Sequence, residues 1–182
     1  RFAHSAEQSP MTSALPTVII LGLAAFVALL LAQFRRSPPD NTKERLAASR
    51  ALTITIGIQV LHFIEELATG FPAQFPAVFG LPAMSYTFFI AFNLAWIAIW
   101  VASIPGLQLG QAPTYFAAWF LAIAGMLSGI GHPLIAISSG GYFPGLVTSP
   151  FIGFAGAWLW RRLYAATAVR ANKKNAEQVI LK

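Results

Sequence analysis

The sequence predicts an all-α membrane protein, a polytopic bundle of about five transmembrane helices. Of its 182 residues, 57% are hydrophobic and only 10% are charged, whereas soluble domains carry about 25% charged residues. So few polar side chains cannot cover a water-facing globule. Apolar segments of membrane-spanning length also recur along the chain, and the positive charges are confined to a few segments between and after them.

Five apolar segments are each long enough, at about 20 residues, to cross a bilayer. They lie at 15–34, 47–69, 85–104, 114–138 and 146–164. Arg35 and Arg36 follow the first segment, an order that indicates a retained span, because a cleaved signal peptide carries its positive charges first. Breaks that contain Pro or Gly separate the later spans, at 72–82, 105–106 and 140–145.

The basic residues predict the orientation. Five Lys and Arg residues lie between the first span and the start of the second, up to Arg50, and six lie from Arg161 onward, at the end of the fifth span and after it, while the other three loops contain none. Under the positive-inside rule the N-terminus is outside and the C-terminus is cytoplasmic. We therefore expect a multi-pass protein of the cell (inner) membrane, with an extracytoplasmic tail at 1–14 and a basic cytoplasmic tail at 165–182.

The same charges indicate the partners. A formal net charge of +6 predicts contact with membrane lipids, and with anionic headgroups on the cytoplasmic side in particular. Nucleic acid is not an expected partner. A membrane-protein partner or a second copy of the chain remains open. The absence of cysteine excludes disulfides, thiolate nucleophiles and sulfur-rich metal sites.

Ionisable residues inside the predicted spans are the candidates for function, because each costs about 2.5–3.5 kcal/mol to insert near the bilayer centre. His62, Glu65 and Glu66 fall in the second span and His132 falls in the fourth. Asn93, on a stripe with Phe89, Trp96 and Trp100, is the strongly polar residue of the third.

Helical spacing and depth bring these groups together. His62 and Glu66 are four residues apart and share one helix face. At about 1.5 Å per residue, Glu65 lies about 6 Å below the outer end of its span, His132 about 9 Å and Asn93 about 12 Å. Gly125 and Gly129 lie on the His132 face and predict the close approach of another helix.

This set matches the ligands of a catalytic divalent metal, with zinc as the first candidate and iron or manganese as alternatives. His62, Glu66 and His132 would supply two imidazoles and a carboxylate, and a water would complete the coordination. Glu65 would then be a general base or a second-shell partner, and Asn93 an orienting or oxyanion-binding group. The arrangement H-E-x-x-H of metalloproteases is absent.

The segment after the fourth span, Gly-Gly-Tyr-Phe-Pro-Gly, is expected to cap the same end of the bundle. Its Tyr142, together with Thr148 just beyond it, is a candidate for contacts with the substrate.

The motif His62-Phe-Ile-Glu65-Glu66 resembles the signature of the HXXEE family of small bacterial and archaeal membrane proteins. Asn93, His132 in Gly-His-Pro, and the segment from Tyr142 to Thr148 are also similar to that family's pattern. The resemblance covers a four-helix core at about 46–164 and leaves the span at 15–34 as an addition. It implies a membrane fold but little about activity.

Three functions are consistent with the sequence. The first is a metal-dependent membrane hydrolase that acts on a lipid-like or other apolar substrate from the outer side. The second is a proton or cation carrier that uses Glu65 and Glu66, and the third is an accessory subunit that holds a pigment or lipid in a larger assembly. Structural roles also remain open: Glu65 and Glu66 reaching toward headgroups, His132 bonding at a proline kink, and Asn93 joining two helices.

Overall fold

The structure, a computed structural model, describes residues 12–168, and the described chain is entirely helical. A short 3-10 turn, Thr12–Ala14, precedes six α-helices. These are α1 (Leu15–Phe34), α2 (Thr42–Thr69), α3 (Phe71–Ala77), α4 (Tyr86–Leu109), α5 (Ala112–Ser139) and α6 (Ser149–Ala166). Most of the two predicted tails, residues 1–11 and 169–182, lies outside the described residues.

Four of these helices, α1, α2, α4 and α5, are long and apolar enough to cross a membrane. The predicted count of five is not confirmed, because α6 falls short of the same standard. It has 18 residues and carries Arg161 and Arg162 in its last two turns. The apolar part before them, 149–160, would span about 18 Å at 1.5 Å per residue, against a hydrocarbon core of about 30 Å.

The predicted break at Pro105–Gly106 is wrong. Helix α4 continues through Pro105 to Leu109 and ends at Gly110, whose φ is +75°. Helices that pack among neighbours tolerate an internal proline, because other groups satisfy the freed backbone carbonyl. The left-handed conformation that ends the helix is one that glycine adopts without strain.

Helices α2, α4, α5 and α6 form a closed four-helix arrangement, and α1 packs outside it on α5. Within the four, α5 contacts α6 and α4, and α2 contacts the same two helices from the other side. The core between them is apolar and includes Leu52, Trp119 and Leu159, which are fully buried. Its aromatic and aliphatic packing fills the half of the bundle nearest the connection between α1 and α2, residues 35–41, which carries Arg35 and Arg36.

Helices α5 and α6 pack backbone against backbone, as the glycines on the His132 face predicted. A Cβ atom on Gly129 would lie 2.6 Å from the Cα of Gly153, and one on Gly156 would lie 2.7 Å from the carbonyl oxygen of Ala122. Only glycine permits this approach. It places the C-terminal end of α5, with His132, beside the start of α6.

The segment 71–84, between α2 and α4, supplies part of the bundle's interior. Its short helix α3 begins at Phe71, with Pro72 in the first turn where a proline removes no needed donor. Phe71, Phe75 and Met84 are each at most 7% exposed and pack with Phe89 of α4. They close the end of the bundle that holds the polar intramembrane residues.

Candidate metal site

His62, Glu66 and His132 meet at one buried point between α2 and α5. Their exposures are 1%, 7% and 6% respectively. The Nε2 atom of His62 lies 3.7 Å from Oε1 of Glu66, and Nε2 of His132 lies 3.5 Å from the same oxygen. One ligand atom from each residue falls within 4.8 Å of the others. The grouping predicted from spacing and depth is therefore present.

The hydrogen bonds of the neighbouring loop, residues 140–148, fix the proton on His62. Thr148 Oγ1 donates to Oε2 of Glu65, because an ionised carboxylate only accepts. The hydroxyl has a single hydrogen, so its 2.7 Å contact with Nδ1 of His62 requires Nδ1–H to be the donor. Nε2 of His62 then carries a lone pair.

The proton of His132 is likewise fixed by a bond to the loop at 140–148. Its Nδ1 lies 2.6 Å from the carbonyl oxygen of Pro144, and a carbonyl oxygen only accepts. Nδ1–H is therefore the donor, and Nε2 again carries a lone pair. This bond uses the loop carbonyl and not the carbonyl freed by Pro133, which was the structural alternative for this histidine.

Nε2 of each histidine thus directs a lone pair toward Oε1 of Glu66. Nε2 of His62 is fully buried and has no hydrogen-bond partner, and buried polar atoms without partners are costly. A cation at the centre of the three donors, the two Nε2 atoms and Oε1 of Glu66, removes that cost. Bonds of about 2.1 Å with tetrahedral angles separate two ligand atoms by about 3.4 Å. The two distances to Glu66, 3.5 and 3.7 Å, are close to this value, whereas the widest pair of ligand atoms, at up to 4.8 Å, would have to draw together around a cation.

Sequence reasoning missed Gly145, whose lack of a side chain leaves space for both imidazoles. A Cβ atom there would lie 2.7 Å from Cε1 and Nδ1 of His132 and 2.9 Å from Cε1 of His62. Its φ is +85°, a conformation that also favours glycine. In the sequence, Pro144 and Gly145 indicated a break between helices and a segment that caps this end of the bundle. The structure adds that Pro144 accepts the His132 hydrogen bond and that Gly145 leaves space for both rings.

Aromatic side chains enclose the site and also went unrecognised. Phe71 stacks on His132 with ring centroids 5.7 Å apart, and Phe143 lies 5.5 Å from the same ring. The two imidazoles meet edge to face at 4.8 Å. An apolar surround of this kind excludes water and strengthens the interaction of the ligands with a cation.

Glu65 does not join the three donors but holds the loop. Its Oε1 accepts from the hydroxyl of Tyr142 at 2.6 Å and from the backbone N–H of Val147 at 3.0 Å. Its Oε2 accepts from the backbone N–H of Thr148 at 2.8 Å and from the Thr148 hydroxyl. Two roles were predicted for Glu65, a general base and a group that supports a ligand. The geometry fits the second, because the Thr148 hydroxyl contacts both Glu65 and His62.

The other predicted site residues lie in two places. Asn93 lines a cavity beside the three donors, and its Nδ2 donates to the carbonyl oxygen of Phe89 at 3.0 Å. Tyr142 and Thr148 are bound to Glu65 and are absent from that lining. Contact of these two residues with a substrate remains a prediction.

The cavity has a volume of about 430 Å³ and is largely apolar. Phe89, Phe92, Trp96 and Phe120 are among its walls, and His62, Glu66 and His132 lie on its surface. This volume falls within the range of about 300–1,000 Å³ typical of ligand sites. A molecule bound there would be surrounded by aromatic side chains and would reach the three donors.

No protein-family model, curated protein or solved structure matches this chain.

Proposed function

We propose that this protein is a metal-dependent membrane enzyme, a hydrolase of a lipid-like or other apolar substrate. The observation that carries the proposal is the convergence of two imidazole lone pairs and one carboxylate oxygen on a buried point. Zinc is the first choice, because two imidazoles and a carboxylate are a familiar set for catalytic zinc. Iron or manganese would accept the same donors.

The arrangement of Glu66 and Asn93 around the three donors favours hydrolysis. A divalent metal would polarise a substrate carbonyl and lower the pKa of a bound water. Both histidines approach Oε1 of Glu66, which leaves Oε2 available to accept a proton from the attacking water. Asn93, in the wall of the cavity, is positioned to orient the substrate.

The decisive experiment is elemental analysis of the protein purified in mild detergent. We expect about one zinc, iron or manganese per chain, lost in His62→Ala and His132→Ala. Gln59→Ala is the matched control, because Gln59 lines the same cavity without joining the three donors. Absence of metal from the wild type after reconstitution, or its retention in both histidine variants, would overturn the metal site.

Hydrolysis itself needs a separate assay in lipid nanodiscs with acyl ester and amide substrates. We expect turnover that requires the metal and is lost in Glu66→Gln. A metal-loaded protein without hydrolytic activity toward these substrates would leave a metal site but reject the hydrolase.

We also propose that the site faces the outside of the cell membrane and that α6, although its uncharged part is short, completes a fifth crossing, because Arg35 at the basic end donates to the carbonyl oxygen of Tyr164 in its last turn. The connections at the site end, 70–85 and 140–148, contain no Lys or Arg, whereas the other end carries Arg35, Arg36, Arg161 and Arg162. Since the chain has no cysteine, single reporters give a clean test. A membrane-impermeant maleimide should label Ser139→Cys in intact cells and Asp40→Cys only after lysis.

A cation carrier is the weaker alternative, because the described helices place no acid or histidine between the three donors and the basic end. The hydroxyl of Thr55 is bonded to the carbonyl oxygens of Ala51 and Ala155. Beyond it, Leu52 and Trp119 are fully buried in apolar packing. A carrier requires access to its site from both sides.

A further inference from the structure

An apolar groove of about 200 Å³ connects the cavity with the outer surface of the bundle. It lies between α1 and α4, with Thr17, Leu21 and Gly22 on one side and Phe88, Phe92 and Trp96 on the other. All of these except Gly22 also line the cavity beside the metal ligands. The groove therefore adjoins the cavity along a shared, mostly apolar wall.

The groove faces the region that lipid would occupy. Both α1 and α4 are long and apolar enough to span a membrane. On α1, Val18 is 54% exposed and Leu23 is 63% exposed, as expected of side chains that contact lipid. Four of the named groove residues, Leu21, Phe88, Phe92 and Trp96, have apolar or aromatic side chains, so an alkyl chain could pass from the bilayer into the groove without crossing a polar barrier.

One polar atom interrupts this lining. The hydroxyl of Thr17 is buried and has no hydrogen-bond partner, although Thr17 lines both the groove and the cavity. A buried hydroxyl without a partner is unfavourable. A polar group of a bound molecule at this point would satisfy it, on the path between the bilayer and the metal ligands.

We propose that the substrate is a single-chain acyl ester or amide that reaches the metal ligands sideways from the bilayer, between α1 and α4. This inference rests on the proposed hydrolase and names its substrate class. The alkyl chain lies in the groove, and the polar end of the molecule extends past the Thr17 hydroxyl to the site. The acyl bond lies at the site, where water adds its hydroxyl to the carbonyl carbon, the bond to the alcohol or amine breaks, and the leaving group takes the proton.

The size of the groove favours one chain over two. From Thr17 to Ala25 it follows eight residues of α1, a length of about 12 Å at 1.5 Å per residue. Its volume of about 200 Å³ is below the lower limit of about 300 Å³ for sites that enclose drug-sized ligands. One extended chain fits such a channel, and a diacyl lipid would have to leave its second chain outside.

Gly22 offers a way to block the groove without disturbing the core. A Cβ atom there would have no atom within 4 Å, and Gly22 lies in the groove lining. Gly22→Trp therefore fills the groove from its open side. Gly57→Trp is the matched control, because Gly57 is an exposed helical glycine of α2 with equally free surroundings and lies outside the lining of both spaces.

The test uses a dodecyl ester that carries a diazirine on its chain, photolysed with the full chain in nanodiscs and mapped by mass spectrometry. We expect saturable labelling of α1 and α4 that unlabelled ester competes away. It should fall at least fivefold in Gly22→Trp and remain unchanged in Gly57→Trp. Gly22→Leu should give an intermediate loss, and thermal unfolding should confirm that each variant is folded.

Labelling that is spread evenly over the exposed helices, or that falls equally in both Trp variants, would overturn the groove. Metal content measured on the same samples separates this failure from failure of the site. Since labelling needs no catalysis, His132→Ala should label like the wild type even when it holds no metal. A metal-loaded protein without groove labelling would reject lateral access alone.

Discussion

At the scale of single residues, the site depends on which atoms carry protons. His62 and His132 each donate through Nδ1 to the loop at 140–148, so both direct a lone pair at Glu66. Glu65 stabilises the same loop through four hydrogen bonds. The two adjacent acids of the motif therefore have different roles, one at the site and one in its support.

Gly145→Ala should abolish metal binding although it alters no ligand. The new Cβ would lie 2.7 Å from the ring of His132 and 2.9 Å from that of His62, so both rings must move. The control is Gly140→Ala, which imposes a similar positive φ, +69°, with no atom within 4 Å of the Cβ. Elemental analysis should show metal lost in the first variant and kept in the second. Equal metal content would contradict the crowding argument.

Glu65→Gln should weaken metal binding by about 10- to 100-fold, the usual cost of removing a group that orients a ligand. The amide cannot accept all four hydrogen bonds, so Thr148 loses its fixed direction toward His62. Tyr142→Phe, which removes one exposed bond, should weaken binding far less. Titration with a zinc indicator measures both variants, and equal affinities for Glu65→Gln and the wild type would reject the supporting role.

The Tyr142 bond should respond to pH. Burial, followed by the bond to Glu65, raises the pKa of Tyr142 above its usual value of 10.0. A raised pKa means that folding favours the protonated form, so its stabilising contribution is complete below pH 10 and is lost as the pH rises through the folded-state pKa. Hydrogen exchange of residues 140–148 should be protected up to about pH 10. In Tyr142→Phe the added loss above that pH should be absent.

At the scale of elements, the close pairing of α5 with α6 holds the site together. Gly129 and Gly153 bring the two backbones into contact, and the loop that joins these helices supplies the Pro144 carbonyl and the Thr148 hydroxyl to the histidines. A change in the separation of α5 and α6 would thus move the loop relative to α2.

Gly129→Ala should destabilise the protein by about 1–3 kcal/mol, the usual cost of overpacking, because its Cβ would lie 2.6 Å from the Cα of Gly153. Gly57→Ala is the control on α2, where a Cβ meets no atom within 4 Å. There the higher helix propensity of alanine should be neutral or favourable by up to about 1 kcal/mol. Unfolding in mixed micelles gives both values, and similar stability of the two variants would contradict the proposed close contact.

At the scale of the whole molecule, a metal should couple the helices that provide its ligands. Zinc at 100 times its dissociation constant should raise the free energy of unfolding by about 2.7 kcal/mol. The corresponding rise in melting temperature should vanish in His132→Ala. Magnesium is the control ion, because it prefers oxygen ligands. An equal rise with magnesium, or one that persists in His132→Ala, would place the stabilising ion elsewhere.

The helical class and the positions of the long apolar segments could be predicted from composition and segment length alone. The sequence also placed His62 and Glu66 on one face, since residues four apart on a helix are neighbours. The helical rise per residue also predicted that His132 lies at about the same depth in the membrane as Glu65. These are local properties, fixed by composition and by the helical repeat.

Contacts between residues far apart in the chain could be seen only in the tertiary structure. Glu65 bonds to residues about 80 positions away, and Gly145 fits beneath two rings from different helices. The continuation of α4 through Pro105 and the groove between α1 and α4 also depend on neighbouring helices. Helical periodicity relates residues three or four apart, whereas contacts between helices depend on packing that no local pattern specifies.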